Sequence, residues 1–157
     1  MLKIREVSSS MAHIIHKLQK ESFEPLLNKY HDYDINPAME SIEQIIEKID
    51  SANATTYIFQ FNDINVGCVR IREVEDKVYK VSALCVLPEY QNKGIAQEAL
   101  KQIEGYHPNV HKWILSTILQ EKGNCYLYEK IGYVKTGEVK KINEKMEMID
   151  YVKLCKV

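Results

Sequence analysis

Leu84-Cys85-Val86-Leu87-Pro88-Glu89-Tyr90-Gln91-Asn92-Lys93-Gly94-Ile95-Ala96 is the stretch on which the reading of this chain turns. An apolar, strand-like run ends at Leu87, a polar turn with a proline follows, and Ala96, Ala99, Leu100 and Ile103 then recur at helical spacing. The first amides of a helix have no intrahelical partner and lie at the positive end of its dipole, so a strand, a short turn and a helix start make an anion site suited to a pyrophosphate. Gly94 lets such a group approach without a side chain in the way, and the small Ala96 does the same one step later. Gln91, Asn92, Lys93, Gly94, Ile95 and Ala96 are therefore the candidate anion-binding residues.

Upstream of this segment, Thr55–Phe61, Val66–Val74 and Val78–Leu87 read as strands joined by the short polar connections Asn62–Asn65 and Glu75–Lys77, an antiparallel meander. Before them Leu2–Val7 reads as a short strand, Ser8 to Ser10 offer N-caps for a helix carrying Ile14, Ile15 and Leu18, and Glu24–Ala38, with two prolines, reads as an ordered loop or short turns. Ser41 and Gln44 fit a capping box for a second helix with Ile42, Ile45, Ile46 and Ile49 on one stripe. Downstream, Gly105 and Pro108 end the helix that Gly94 opens, Trp113–Ile118 is a strand, Asn124–Ile131 a short helix, and Tyr133–Lys141 and Lys145–Leu154 are closing strands. The helix between Val78–Leu87 and Trp113–Ile118 requires those strands to run parallel if they are neighbours.

At 157 residues, 45% apolar and 27% charged, the chain is expected to form one domain over 1–157 with a packed core. A net charge of -1 without a Lys/Arg stripe excludes nucleic acid as a partner. Cys68, Cys85, Cys125 and Cys155 are scattered without a C-x-x-C pair, which points to reduced, mostly buried thiols. His13 and His16 lie a turn apart and His107 and His111 are interrupted by Pro108, with no carboxylate or cysteine completing a set, so no metal site is expected. No apolar run approaches the ~18 residues of a membrane span. The protein is thus expected to be soluble and cytoplasmic.

Gln91-x-x-Gly94-x-Ala96, preceded by Val86-x-Pro88-Glu89-Tyr90, resembles the acetyl-CoA signature of the GNAT superfamily of N-acetyltransferases. Leu127-Tyr128-Glu129-Lys130-Ile131-Gly132-Tyr133 is similar to a second segment of that family, and Gly67 falls where its third strand commonly has glycine. These motifs occupy Leu84 to Tyr133, and residues before Thr55 match by layout alone. The resemblance implies an α/β fold with a mixed, mostly antiparallel twisted sheet of about seven strands, helices on both faces and a splayed parallel strand pair. It implies acetyl-CoA as cosubstrate, its pantetheine arm lying in the gap against backbone groups of Leu84 and Val86 like an added strand. It implies an amine acceptor, from a small molecule or a peptide, that attacks the thioester directly in a ternary complex. Cys85, though near the expected thioester, lies on a strand and is read as packing.

For Tyr128 the resemblance implies a proton donor to the leaving thiolate. A phenol of pKa ~10 protonating a thiol of pKa ~8.5 runs uphill by about 2 kcal/mol, so stabilisation by hydrogen bond and full transfer both stay open. Two positions depart from the family pattern. Ser82 stands where many members carry a glutamate base, with Glu73 and Glu75 as substitutes, and Glu121 stands where an asparagine often precedes the tyrosine by seven residues. Asn124 shares a helix face with Tyr128 and takes over the expected contact to CoA. The missing glutamate motivates an alternative, a non-catalytic CoA-binding or protein-interaction module with this fold.

The segment from His31 to Asp50 sets Asp32, Asp34, Glu40, Glu43, Glu47 and Asp50 against Lys48 alone. Asp32 and Asp34 interleave with Tyr30 and Tyr33, a combination that binds an ammonium through carboxylate and ring face together, so both are candidate acceptor-binding residues for a cationic amine. Oligomeric state, a homodimer included, is left open.

Overall fold

The computed structural model describes residues 1–155; Lys156 and Val157, the end of the expected 1–157 domain, lie outside the described residues. Among the described residues seven strands and four α-helices follow one another as β1 (Leu2–Glu6), α1 (Ala12–Tyr30), α2 (Ile42–Asp50), β2 (Ala54–Phe61), β3 (Ile64–Glu75), β4 (Val78–Val86), α3 (Ile95–Tyr106), β5 (Lys112–Ile118), α4 (Lys122–Lys130), β6 (Val134–Asn143) and β7 (Met146–Leu154). The strands form one sheet in the order β1-β2-β3-β4-β5-β7-β6, with β4 and β5 parallel and every other neighbouring pair antiparallel.

Local chemistry accounts for most boundaries. Asn62 and Asp63 both sit at positive φ (52° and 68°), the two-residue turn geometry that matches strand twist and joins β2 to β3. Ser41 Oγ accepts from Gln44 N at 3.1 Å while Ser41 N donates to Gln44 Oε1 at 2.9 Å, so the expected capping box opens α2.

The stretch expected as loop from Glu24 to Ala38 is helix as far as Tyr30, with Pro25 inside α1. An interior proline forfeits one helical bond and costs about 3 kcal/mol. Burial of Leu27 and Tyr30 beyond it, the latter in a separate cluster with Ile118 and Met146, offsets that cost. The helix stops at His31, left-handed at φ 57°, whose N–H bonds Leu27 O at 2.8 Å. Ser8 precedes a short 3-10 turn, Ser9–Met11, that takes up Ser9 and Ser10, and Ser8 gives it no side-chain cap; the N-cap of α1 is Met11.

Alternation along β2 divides the core. Tyr57 and Phe59 pack with Ala99, Leu100 and Ile103 of α3 and with Cys125 and Tyr128 of α4, whereas Ile58 between them packs with Ile15 and Leu18 of α1 and Ile45 of α2. The sheet is therefore covered on both faces, as expected. Gly67 lets β3 approach β4 closely, since a Cβ there would overlap the Cys85 carbonyl and come within 2.9 Å of the Phe59 ring.

Candidate active site

β4 and β5 pair only over Val78–Lys80 with Lys112–Ile114, and beyond Lys80 the strands part. A bulge accompanies the divergence: Cys68 faces Cys85 and Arg70 faces Ser82, so two steps along β3 correspond to three along β4, with Ala83 at φ 52°. The outer edge of β4 from Val81 to Val86 is thus left without a ladder partner on the β5 side, which suits a bound strand-like chain.

A cleft of about 760 Å³ opens in this gap, lined among others by Leu84, Cys85, Val86, Gln91, Asn92, Gly94, Ile95, Ala96, Asn124 and Tyr128. The sequence-predicted residues of the strand end, the turn and α4 are thereby brought together, except Lys93, which is exposed and lines no part of it. Gly94 is the N-cap of α3 at φ 79°, without side-chain capping, and the backbone amides from Asn92 to Gln97 bond no other described backbone group. A Cβ on Gly94 would meet nothing within 4 Å. Gln91 is held inward, its Nε2 donating to Val86 O at 2.9 Å. Unpaired amides, the open space at Gly94 and the free strand edge fit a pyrophosphate with an extended amide-bearing arm.

Tyr128 is 7% exposed and packs obliquely against Tyr133 and Tyr151, ring centroids 5.8 and 6.0 Å away. Its hydroxyl has no hydrogen-bond partner among the described residues. Burial, then the neighbouring Cys125, pushes its pKa well above the ordinary phenol value, so it is a protonated donor at neutral pH. Cys85 lies in the α1-side core with its Sγ 3.5 Å from Cys68 Sγ.

A second cavity, about 300 Å³, lies on the α1 side of the divergence and shares Phe23, Leu26, Leu84, Asn124 and Tyr128 with the first. Ser82 and Asp32 line it; Asp34 is exposed and lines neither cavity. Asp32 is 6% exposed, its carboxylate accepting from Asn36 Nδ2 at 3.2 and 3.3 Å. Glu73 accepts the Lys77 N–H in the β3–β4 turn, and neither it nor Glu75 reaches a cavity. Glu121 lines the larger cleft, accepting from Tyr30 Oη at 2.5 Å and Lys29 Nζ at 2.8 Å. Burial pushes the Glu121 pKa up, but these two donors outweigh it and hold the carboxyl below its usual value.

Sequence reasoning missed several lining residues. Ser22, from the stripe of α1, presents a buried Oγ without a partner among the described residues to the larger cleft, and Arg70 and Lys80 line the smaller one together with Glu40 of the acidic segment. Arg70 shares a strand face with Cys68, and that alternation was the available signal; with both sheet faces covered, it did not mark either as the site.

The profile of the acetyltransferase (GNAT) family matches residues 12–133, and the chain belongs to that family, whose cosubstrate is acetyl-CoA. No curated protein matches the chain. Among solved structures, the spermidine N-acetyltransferase of Vibrio cholerae in complex with CoA and spermine superposes with a TM-score of 0.77 at 20% identity, over 98% of this chain and 95% of that one. The ribosomal-protein-S18-alanine N-acetyltransferase of Escherichia coli gives 0.80 at 12% identity over 100% and 96%. The PaiA N-acetyltransferase of Thermoplasma acidophilum in complex with coenzyme A gives 0.74 at 14% identity over 99% of both. At these identities the likeness is one of fold.

Proposed function

We propose that this protein is an N-acetyltransferase in which an amine acceptor attacks the thioester of acetyl-CoA directly, within a ternary complex. The observation that carries this reading is the junction of the two cavities at Phe23, Leu26, Leu84, Asn124 and Tyr128, where a donor on one side and an acceptor on the other would meet.

Bound acetyl-CoA supplies an acetyl group activated as a thioester. The amides at the start of α3 hold the pyrophosphate, Gly94 leaves it room, and the free edge of β4 at Leu84 and Val86 orients the arm. Asn124 faces both cavities and offers an amide to the same arm. Tyr128 keeps its proton and directs it at the sulfur as negative charge develops there. With its pKa raised, full transfer is costlier than for an ordinary phenol, which favours stabilisation by hydrogen bond. The packing of Cys85 against Cys68 speaks against an acetyl-enzyme.

On the acceptor side Ser82 has no basicity to offer, and of the carboxylates there Glu40 is engaged by Gln19 and Lys48. Asp32 has no cationic partner among the described residues and is assigned the acceptor's ammonium, which gives up one proton to solvent before its nitrogen attacks and a second, on forming the amide, that neutralises the departing thiolate. Asp34, outside both cavities, is left with at most a distant electrostatic influence.

Thiol release from acetyl-CoA across a broad amine panel tests the proposal, with acetyl-CoA affinity measured alongside by isothermal titration. Transfer to an amine sustains it. Saturable binding with no thiol release from any amine would instead establish the non-catalytic CoA-binding or protein-interaction module that Ser82 motivates.

A further inference from the structure

The acceptor-side cavity carries some charges left unpaired among the described residues. Arg70 stands on β3 directly opposite Ser82 of β4, on the α1 face of the sheet, and lines this cavity half-buried. Among the described residues it makes no salt bridge and no side-chain hydrogen bond. Glu40 attracts it through space, but one Glu40 oxygen accepts from Gln19 Nε2 at 2.8 Å and the other from Lys48. Lys80, the last β4 residue paired with β5, lines the same cavity and is likewise unpaired among the described residues.

A guanidinium cannot shed its charge, and one that has lost part of its hydration without gaining an anion is costly. Its planar fork matches a carboxylate through two parallel hydrogen bonds. Across the cavity lies the reverse case. Asp32 is buried, and both carboxylate oxygens share the single Asn36 amide without a cation. Unpaired positive and negative groups lining a space of about 300 Å³ complement a small zwitterion.

We propose that the acceptor is an amine of amino-acid size bearing a carboxylate, which Arg70, backed by Lys80, binds while Asp32 faces the ammonium end. This rests on the acetyltransferase reading above and narrows its substrate class. A polyamine offers Arg70 only another cation, whereas an amino acid offers each charged wall its opposite.

The test is thiol release from acetyl-CoA with matched acceptors that differ by the carboxylate: lysine and cadaverine, ornithine and putrescine, phenylalanine and phenethylamine. At least one amino acid is expected to exceed its decarboxylated partner in kcat/KM by about 10-fold or more, chiefly through KM. Arg70→Met is expected to erase that preference, lowering kcat/KM for the amino acid about 10-fold and for the amine less than about 2-fold, with acetyl-CoA affinity unchanged. Arg70→Lys should retain part of the preference, and it, with the ratio in the parent, decides the matter if Arg70→Met does not fold. Equal rates within every pair, a preference for the decarboxylated amines, or equal loss on both partners in Arg70→Met overturns the inference while leaving the acetyltransferase reading intact. Transfer to no amine at all overturns both.

Discussion

The two cavities that meet at Tyr128 are built from different material. The larger one depends chiefly on backbone: the amides at the start of α3, the open space at Gly94 and the unpaired edge of β4 beyond Lys80. The smaller one depends on side chains from well-separated elements, Asp32 after α1, Arg70 on β3, and Lys80 and Ser82 on β4. Backbone recognition needs one contiguous segment, so it leaves a local trace in the sequence. Side-chain recognition is assembled by the sheet and can be exchanged residue by residue without disturbing the other half, which lets one cosubstrate site serve many acceptors.

That division can be broken or sharpened by substitution. The largest effect is expected for Gly94→Glu, whose carboxylate would meet the pyrophosphate; acetyl-CoA affinity by isothermal titration should fall by about 100-fold or more. Because any L-residue at φ 79° is strained, Gly94→Ala serves as control, and it should lose far less, its Cβ meeting nothing within 4 Å. Equal loss in both variants would assign the effect to backbone conformation rather than to the anion site.

Tyr128→Phe comes next. Its kcat should drop by about 10- to 100-fold with acetyl-CoA affinity within about 2-fold of the parent, since the hydroxyl matters when charge develops on sulfur. Turnover equal to the parent would make the ring a packing element between Tyr133 and Tyr151.

A smaller effect is expected for Asp32→Asn, which should raise acceptor KM by about 5-fold, less at high salt, and leave acetyl-CoA KM unchanged. Asp34→Asn should match the parent, because Asp34 lines neither cavity. A KM effect at Asp34 as large as at Asp32 would mean that the acidic segment acts as a diffuse field and not through one carboxylate.

The same division explains what could be read from the sequence. Ser41 and Gln44 announced α2, Asn62 and Asp63 the β2–β3 turn, and Gly94 the start of α3, each because the physics sits within a few consecutive residues. The parallel pairing of β4 with β5 followed from the helix between them. The second half of α1 was missed because Pro25 and the polar Ser22 interrupt the local pattern, while burial of Leu27 and Tyr30 by distant parts of the chain holds the helix. Arg70 was missed for a related reason. On a sheet covered on both faces, strand alternation does not tell which face is hollow.

Ala83 is the extra residue of the β4 bulge, and nothing in its side chain advertises it. Without it, Ser82 and Cys85 would lie two positions apart, as their partners Arg70 and Cys68 already do, and every side chain would keep its face of the sheet. In genetic terms the irregularity is the content of one codon: with Ala83 present β4 takes three steps where β3 takes two, and that extra step falls within the stretch of β4 that has no partner on the β5 side.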